Sequence, residues 1–181
     1  TLTVPNCSAD ELVSTLNSMS TAWLNLIRYK RVKTILRGFF KALEITYNKA
    51  VDTYHPHIHA VLAVPKNYFI SRDYIKRDEW LSLWRKSMKN PRITQVDIRK
   101  AKDKRDLKLG DTAVNTLSSA VAEIAKYAVK SSSYLFFDEK LLKNGVYLPN
   151  EELTDKVVSV LVPALAGRRL CSFGGCFLKA H

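Results

Sequence analysis

The stretch Tyr54-His55-Pro56-His57-Ile58-His59-Ala60-Val61-Leu62-Ala63-Val64 constrains this chain more than any other. It holds three of the four histidines and runs into an apolar, β-prone segment. In a strand, residues two apart share a face. His57 and His59 therefore stand side by side, and two neighbouring imidazoles can grip one metal ion. Phe39 to Tyr47 reads as a second strand, and polar Asn48 to Thr53 joins the two as an antiparallel hairpin. A symmetric turn sets Glu44 opposite His57, Ala42 opposite His59 and Phe40 opposite Val61. Leu43 then meets Ile58 and Phe39 meets Leu62 on the other face. A slip of one residue would turn every side chain to the wrong side, so this register is a sharp expectation.

Before the hairpin, Thr1 to Val4 reads as a strand that starts without lead-in, as in a chain trimmed at its N-terminus. Ser8 with Glu11 resembles a capping box. The helix that follows carries Leu12, Leu16, Met19, Trp23, Leu26 and Ile27 at helical spacing and runs to about Leu36. After the hairpin, Ser71 to Lys89 reads as a helix that Asn90-Pro91 stops, and Arg92 to Lys100 alternates as a strand. Residues 101–111 form a charged, non-periodic loop, and Thr112 to Lys130 is a helix. Ser131 to Ser133 break it before apolar Tyr134 to Phe137, and Asn144-Gly145 is a turn. Glu151 to Leu165 is a helix interrupted near Pro163. Arg168 to Phe173 is a strand ended by Gly174-Gly175.

Charge narrows the partners. The chain has 29 Lys and Arg against 17 Asp and Glu, a net charge of +12, which favours a polyanion. Residues 71–110 hold 13 basic against 6 acidic side chains, next to the histidine strand. Arg28, Arg31, Lys33 and Arg37 at one helix end, with Arg99, Lys100, Lys102, Lys104 and Arg105, are candidate phosphate contacts. No apolar run is long enough to cross a membrane. Cys7, Cys171 and Cys176 make an odd set without a Cys-x-x-Cys pair, which fits a reducing cytoplasm. A zinc site on Cys171, Cys176 and His181 is a minor alternative.

In the helix 112–130, Leu117, Val121, Ile124 and Ala128 form an apolar stripe. Glu123, Tyr127 and Lys130 fall on another side, within an arc of roughly 60°. Tyr127 thus stands beside a carboxylate and an ammonium. A phenol with a pKa near ~10 is a poor nucleophile at neutral pH. A divalent cation that polarises a phosphate and a lysine that stabilises developing charge would activate it.

At these residues the chain resembles the HUH endonucleases. His57-Ile58-His59 looks like their His-hydrophobic-His motif, and Leu2-Thr3-Val4 like the tail of their first strand. Glu123-Ile124-Ala125-Lys126-Tyr127-Ala128-Val129-Lys130 looks like their Tyr-x-x-Lys motif with a glutamate four residues earlier. That form is similar to the rolling-circle replication initiators of small Gram-positive plasmids, as are Phe40-x-x-Leu43-Glu44-x-Thr46 and Gly167-Arg168-Arg169-Leu170. The resemblance implies one α+β domain over residues 1–181, a central antiparallel sheet of ferredoxin or RRM-like kind flanked by helices. It implies a bacterial cytoplasmic enzyme whose tyrosine attacks single-stranded or hairpin origin DNA. The tyrosine becomes linked to the 5′ phosphate and frees a 3′ hydroxyl that primes replication. By the same resemblance Tyr127 is the nucleophile, Lys130 the motif lysine, and Glu123 the base that activates water at termination. His57 and His59 hold Mg²⁺ or Mn²⁺, with the host helicase and replication machinery as partners, no membrane, and a homodimer as one assembly. The hairpin register offers Glu44 as third ligand, with His55 or Asp52 behind it. Tyr134 is the rival nucleophile. A mobilisation relaxase, a transposase or a non-enzymatic nucleic-acid-binding protein are the alternatives.

Overall fold

A computed structural model describes residues 1–101, 121–122, 124–126, 135–143 and 146–179. The elements in chain order are β1 (Leu2–Thr3), α1 (Ala9–Arg28), α2 (Lys30–Ile35), β2 (Gly38–Asn48) and β3 (Thr53–Ala63). A 3-10 turn (Tyr68–Ile70), α3 (Arg77–Met88), β4 (Phe137–Lys143) and β5 (Val146–Pro149) follow. The C-terminal helix (Glu151–Leu165), β6 (Cys171–Gly175) and a last 3-10 turn (Cys176–Lys179) close the described chain. The class is α+β, as the resemblance implies. Four strands form an antiparallel sheet in the order β1-β3-β2-β6, and β4 pairs with β5 in a separate antiparallel ribbon.

The β2–β3 register is the expected one in every pair: Glu44 faces His57, Ala42 faces His59, Leu43 faces Ile58 and Phe39 faces Leu62. Its cause is visible in the burial. Ile58, Ala60 and Leu62 of β3, with Phe39 and Leu43 of β2, pack toward the core built by α1, α2 and α3. Met19, Trp23, Leu26, Val32, Ile35, Trp80 and Trp84 supply the helical side of that core. A one-residue slip would bury the histidines in it. A second apolar cluster joins Leu12 and Leu16 of α1, Ile45 and Tyr54 of the hairpin, and Val157 and Leu161 of the C-terminal helix.

Ser8 caps α1 with the reciprocal Glu11 bonds expected of a capping box, which satisfies donors that the helix start leaves free. Five expected elements differ. The first helix is broken at Tyr29, whose ψ of 133° splits it into α1 and α2 and turns Val32 and Ile35 into the core. Residues 71–76 are not helical, because side chains hold their backbone: the Tyr68 hydroxyl bonds both the N–H and the carbonyl of Ile75, and Arg31 donates to the carbonyl of Tyr74. Residues 92–100 are not a strand. Val96 makes one bridge to Leu2, while Arg85 and Arg77 donate to the Ile93 and Val96 carbonyls. The C-terminal helix runs through Pro163 to Leu165, and β6 begins at Cys171 rather than Arg168 and runs through Gly174-Gly175.

The two glycines extend β6 because they lie in its pairing rather than after it. Gly175 pairs with Gly38 and has φ of 63°, and a Cβ there would come within 2.7 Å of the Gly38 Cα. Only glycine accepts both the left-handed backbone and that approach. Among the described residues no helix is long and apolar enough to cross a membrane.

Candidate functional site

The hairpin register and the pleat set His55, His57 and His59 of β3 on the sheet face that also carries Phe40, Ala42, Glu44 and Thr46 of β2. Edge strand β1 adds Thr3 opposite His57. The His55 and His57 rings lie 4.2 Å apart between centroids, and those of His57 and His59 6.0 Å apart.

Glu44 is buried, 7% exposed, and its Oε2 accepts a hydrogen bond from His59 Nε2 at 2.7 Å. Directly opposite residues pair Glu44 with His57, yet the carboxylate engages the diagonal His59, the neighbour that strand twist and a long side chain bring within reach. The other ring nitrogen of His59, Nδ1, accepts from the Thr1 hydroxyl at 3.2 Å. In the neutral ring the bond to Glu44 requires the proton on Nε2, which leaves Nδ1 to accept. His57 Nε2 makes a long contact of 3.4 Å with the Thr46 hydroxyl. Burial, then the neighbouring His55 and His59, lower the His57 pKa from 6.5 to about 4, so its ring is neutral through the physiological range.

Of the alternative third ligands, His55 shares this face. Asp52 does not: it sits in the turn with φ of 51°, accepts from the Tyr47 hydroxyl at 2.6 Å and pairs with Lys156 at 2.6 Å. That ion pair holds the Asp52 carboxyl below its usual range and raises the Lys156 ammonium.

Glu123, Tyr127 and Lys130 lie outside the described residues, as do Lys102, Lys104, Arg105, Tyr134 and His181; the described residues of 121–126 are helical. Cys171 and Cys176 are free and exposed. The remaining basic candidates separate by their contacts. Arg28, Lys33, Arg37, Arg99 and Lys100 are exposed. Arg31 is instead drawn into a clasp, with Nε 2.7 Å from Glu79 and Nη1 3.6 Å from Asp73. Arg99 also bonds Asp97 at 2.9 Å.

Two partners of the histidines escaped the sequence reading: Thr1 and Thr46. Thr46 was legible in principle, since it is two residues beyond Glu44 and falls opposite His55.

The donor chemistry suits a divalent cation: two imidazoles, one of them held neutral, and a carboxylate on one face. The donors are not gathered around a common point. Among the described residues no group of three His, Cys, Asp or Glu side chains is arranged to hold an ion. For Nε2 of His59 to serve as a ligand, its bond to Glu44 has to open.

A family profile described as a replication protein matches residues 1–181. Protein rep of a Bacillus species is 40% identical over the whole of this chain and 57% of its own length. Protein rep of Bacillus amyloliquefaciens is 38% identical over the whole chain and 52% of its length. A replication protein of Staphylococcus aureus is 30% identical, again over the whole chain, and here the match covers 70% of the relative. The chain thus spans little more than half the length of the first two curated relatives. No solved structure matches.

Proposed function

Since this chain belongs to the replication-protein family, within the plasmid replication initiators, we propose that it nicks and rejoins origin DNA through Tyr127. The observation that carries this reading is the face shared by His57, His59 and Glu44, with Glu44 bonded to His59 at 2.7 Å. A buried carboxylate among imidazoles is costly in an ordinary sheet and is best explained by a task.

In the proposed reaction the Tyr127 oxygen attacks the scissile phosphorus. The phenol gives up its proton as the phosphotyrosine bond forms, the P–O3′ bond breaks, and the 3′ oxygen takes up one proton to leave as a hydroxyl, so no net proton is exchanged. Lys130 stabilises charge developing on the phosphate or on the phenolate. At termination Glu123, ionised at neutral pH, takes a proton from the attacking water. His57, His59 and Glu44 would hold Mg²⁺ or Mn²⁺, which would supply Lewis-acid polarisation of the phosphate. Neutral His57 needs no proton loss before it can ligate at pH 6 or 7, and His59 would ligate through Nε2 once its bond to Glu44 opens. The exposed cations Arg28, Lys33, Arg37, Arg99 and Lys100 contribute phosphate contacts to single-stranded or hairpin origin DNA. The host helicase and replication machinery act on the nicked product, in the bacterial cytoplasm.

The test is cleavage of single-stranded origin DNA with Mn²⁺. His57→Ala and His59→Ala should each abolish cleavage while DNA affinity stays within a few fold. Normal cleavage by either variant at low metal overturns the assignment.

A further inference from the structure

The strand that carries the histidines runs directly into a cluster of aromatic side chains that the reaction above does not use. Tyr68, Phe69 and Tyr74 lie with ring centroids 5.1, 5.4 and 6.2 Å apart. Tyr68 is the buried anchor, 6% exposed, with its hydroxyl bonded to both the N–H and the carbonyl of Ile75. Phe69 and Tyr74 are 43% and 39% exposed, and Ile70 between them is 90% exposed. Large apolar side chains exposed together, rather than singly, are a feature of interaction sites.

The local charge says which partner suits it. The acids near the cluster are drawn into ion pairs: Asp73 and Glu79 share Arg31, and Asp78 lies against Arg77. Lys66, Arg72 and Lys76 enter no ion pair among the described residues. Lys100 rests its ammonium 5.4 Å from the Phe69 ring centroid. Exposed rings with one cation against them and three more close by in the chain suit a ligand that is flat and apolar in one part and anionic in the other. A single-stranded nucleic acid is that ligand: its bases stack on rings and its phosphates take the cations. In a duplex the base faces are already stacked on each other.

We infer that Phe69 and Tyr74, flanked by Ile70, form a stacking platform for unpaired bases of the strand engaged at the histidine face. This rests on the nicking reading above and adds a specific contact to it. The clasp of Arg31 on Asp73, Glu79 and the Tyr74 carbonyl, together with the two bonds of Tyr68, holds the rings in place before the ligand arrives. A preformed platform loses little conformational freedom on binding. Its place is tied to the histidines through Thr1, whose hydroxyl meets His59 Nδ1 and whose backbone bonds Asp97, three residues before the Lys100 that rests against Phe69.

The experiment measures affinity for three fluorescein-labelled probes in the same salt: a single-stranded 12-mer, its duplex, and a 12-mer carrying abasic sites throughout. Phe69→Ala and Tyr74→Ala should each weaken single-strand binding at least fivefold, the lower range for losing one base–aromatic stack. Both should leave the abasic probe unchanged. A second variant reads the contact directly: Phe69→Trp adds an exposed indole, whose emission the base-bearing strand should quench and the abasic strand should not. Equal affinity of parent and alanine variants for the single strand, with no quenching, overturns the platform while leaving the nicking reading intact. Equal losses on the base-bearing and abasic probes also overturn it. Self-association of the parent that the alanine variants relieve, with unchanged DNA affinity, assigns the rings to a second copy instead. A parent that binds no single strand at all defeats the nicking reading itself.

Discussion

Removing the Glu44 carboxylate should separate its structural role from its role toward a cation. Its Oε2 accepts from His59 Nε2 at 2.7 Å, and the side chain is 7% exposed. Glu44→Ala deletes a hydrogen bond to an ionised acceptor, of order 1.5–3 kcal/mol, and leaves a shielded imidazole N–H without that acceptor. Relief of the buried charge offsets part of this, so the expected loss is about 2 kcal/mol. At roughly 2–4 °C per kcal/mol for a domain of this size, Tm should fall by about 4–8 °C. Glu44→Gln keeps the shape and an acceptor oxygen, and should lose at most about 1 kcal/mol. The two variants diverge from each other in stability but not in their response to metal. Mn²⁺ at a hundred times its dissociation constant should stabilise the parent by about 2.7 kcal/mol, and both variants by clearly less. Thermal melts with and without Mn²⁺ read both effects. A Gln variant that gains as much from Mn²⁺ as the parent removes Glu44 from the ligand set. An Ala variant that melts with the parent refutes the structural argument.

Further outcomes follow from the same geometry. His57 has its folded pKa lowered from 6.5 to about 4, so the unfolded chain binds more protons between those values and stability falls as pH drops through that window. Discounted for partial exposure, the loss is about 1–2 kcal/mol, and it should be absent in His57→Gln; denaturant titrations at pH 4 and pH 7 measure it. Gly175→Ala should cost about 3 kcal/mol, since it meets both φ of 63° and the approach to Gly38, whereas Gly167→Ala, with φ of 70° and open space around it, should cost only about 1–2. Glu123→Ala should keep the first nick and lose terminal hydrolysis; equal loss of both steps in a two-stage cleavage assay would rule out its role as the water-activating base.

What could be read from the sequence was whatever had a short-range physical cause. The hairpin register follows from a period of two on both strands and one symmetric turn, and these alone put Glu44 beside the histidines. The Ser8–Glu11 box is likewise local. The misses involve distant partners. Nothing near Tyr29 signals a break, since neither glycine nor proline stands there, and the cause is the joint demand of Leu26, Val32 and Ile35 for one core. Residues 92–100 alternate well enough for a strand, but Arg77 and Arg85 from α3 take carbonyls that a ladder would use. Residues 71–76 have helical composition, and their backbone is captured by Tyr68 and Arg31. The diagonal choice of Glu44 for His59 rather than His57 depends on sheet twist, which one-dimensional pairing does not contain.

The central claim is that Tyr127 becomes covalently joined to DNA. The direct measurement is peptide mass spectrometry after incubation with a single-stranded origin oligonucleotide and Mn²⁺. The account predicts a nucleotide adduct on the peptide containing Tyr127, linked to the 5′ phosphate, absent from Tyr127→Phe and from His57→Ala. An adduct on Tyr134, or one that persists in Tyr127→Phe, would contradict it.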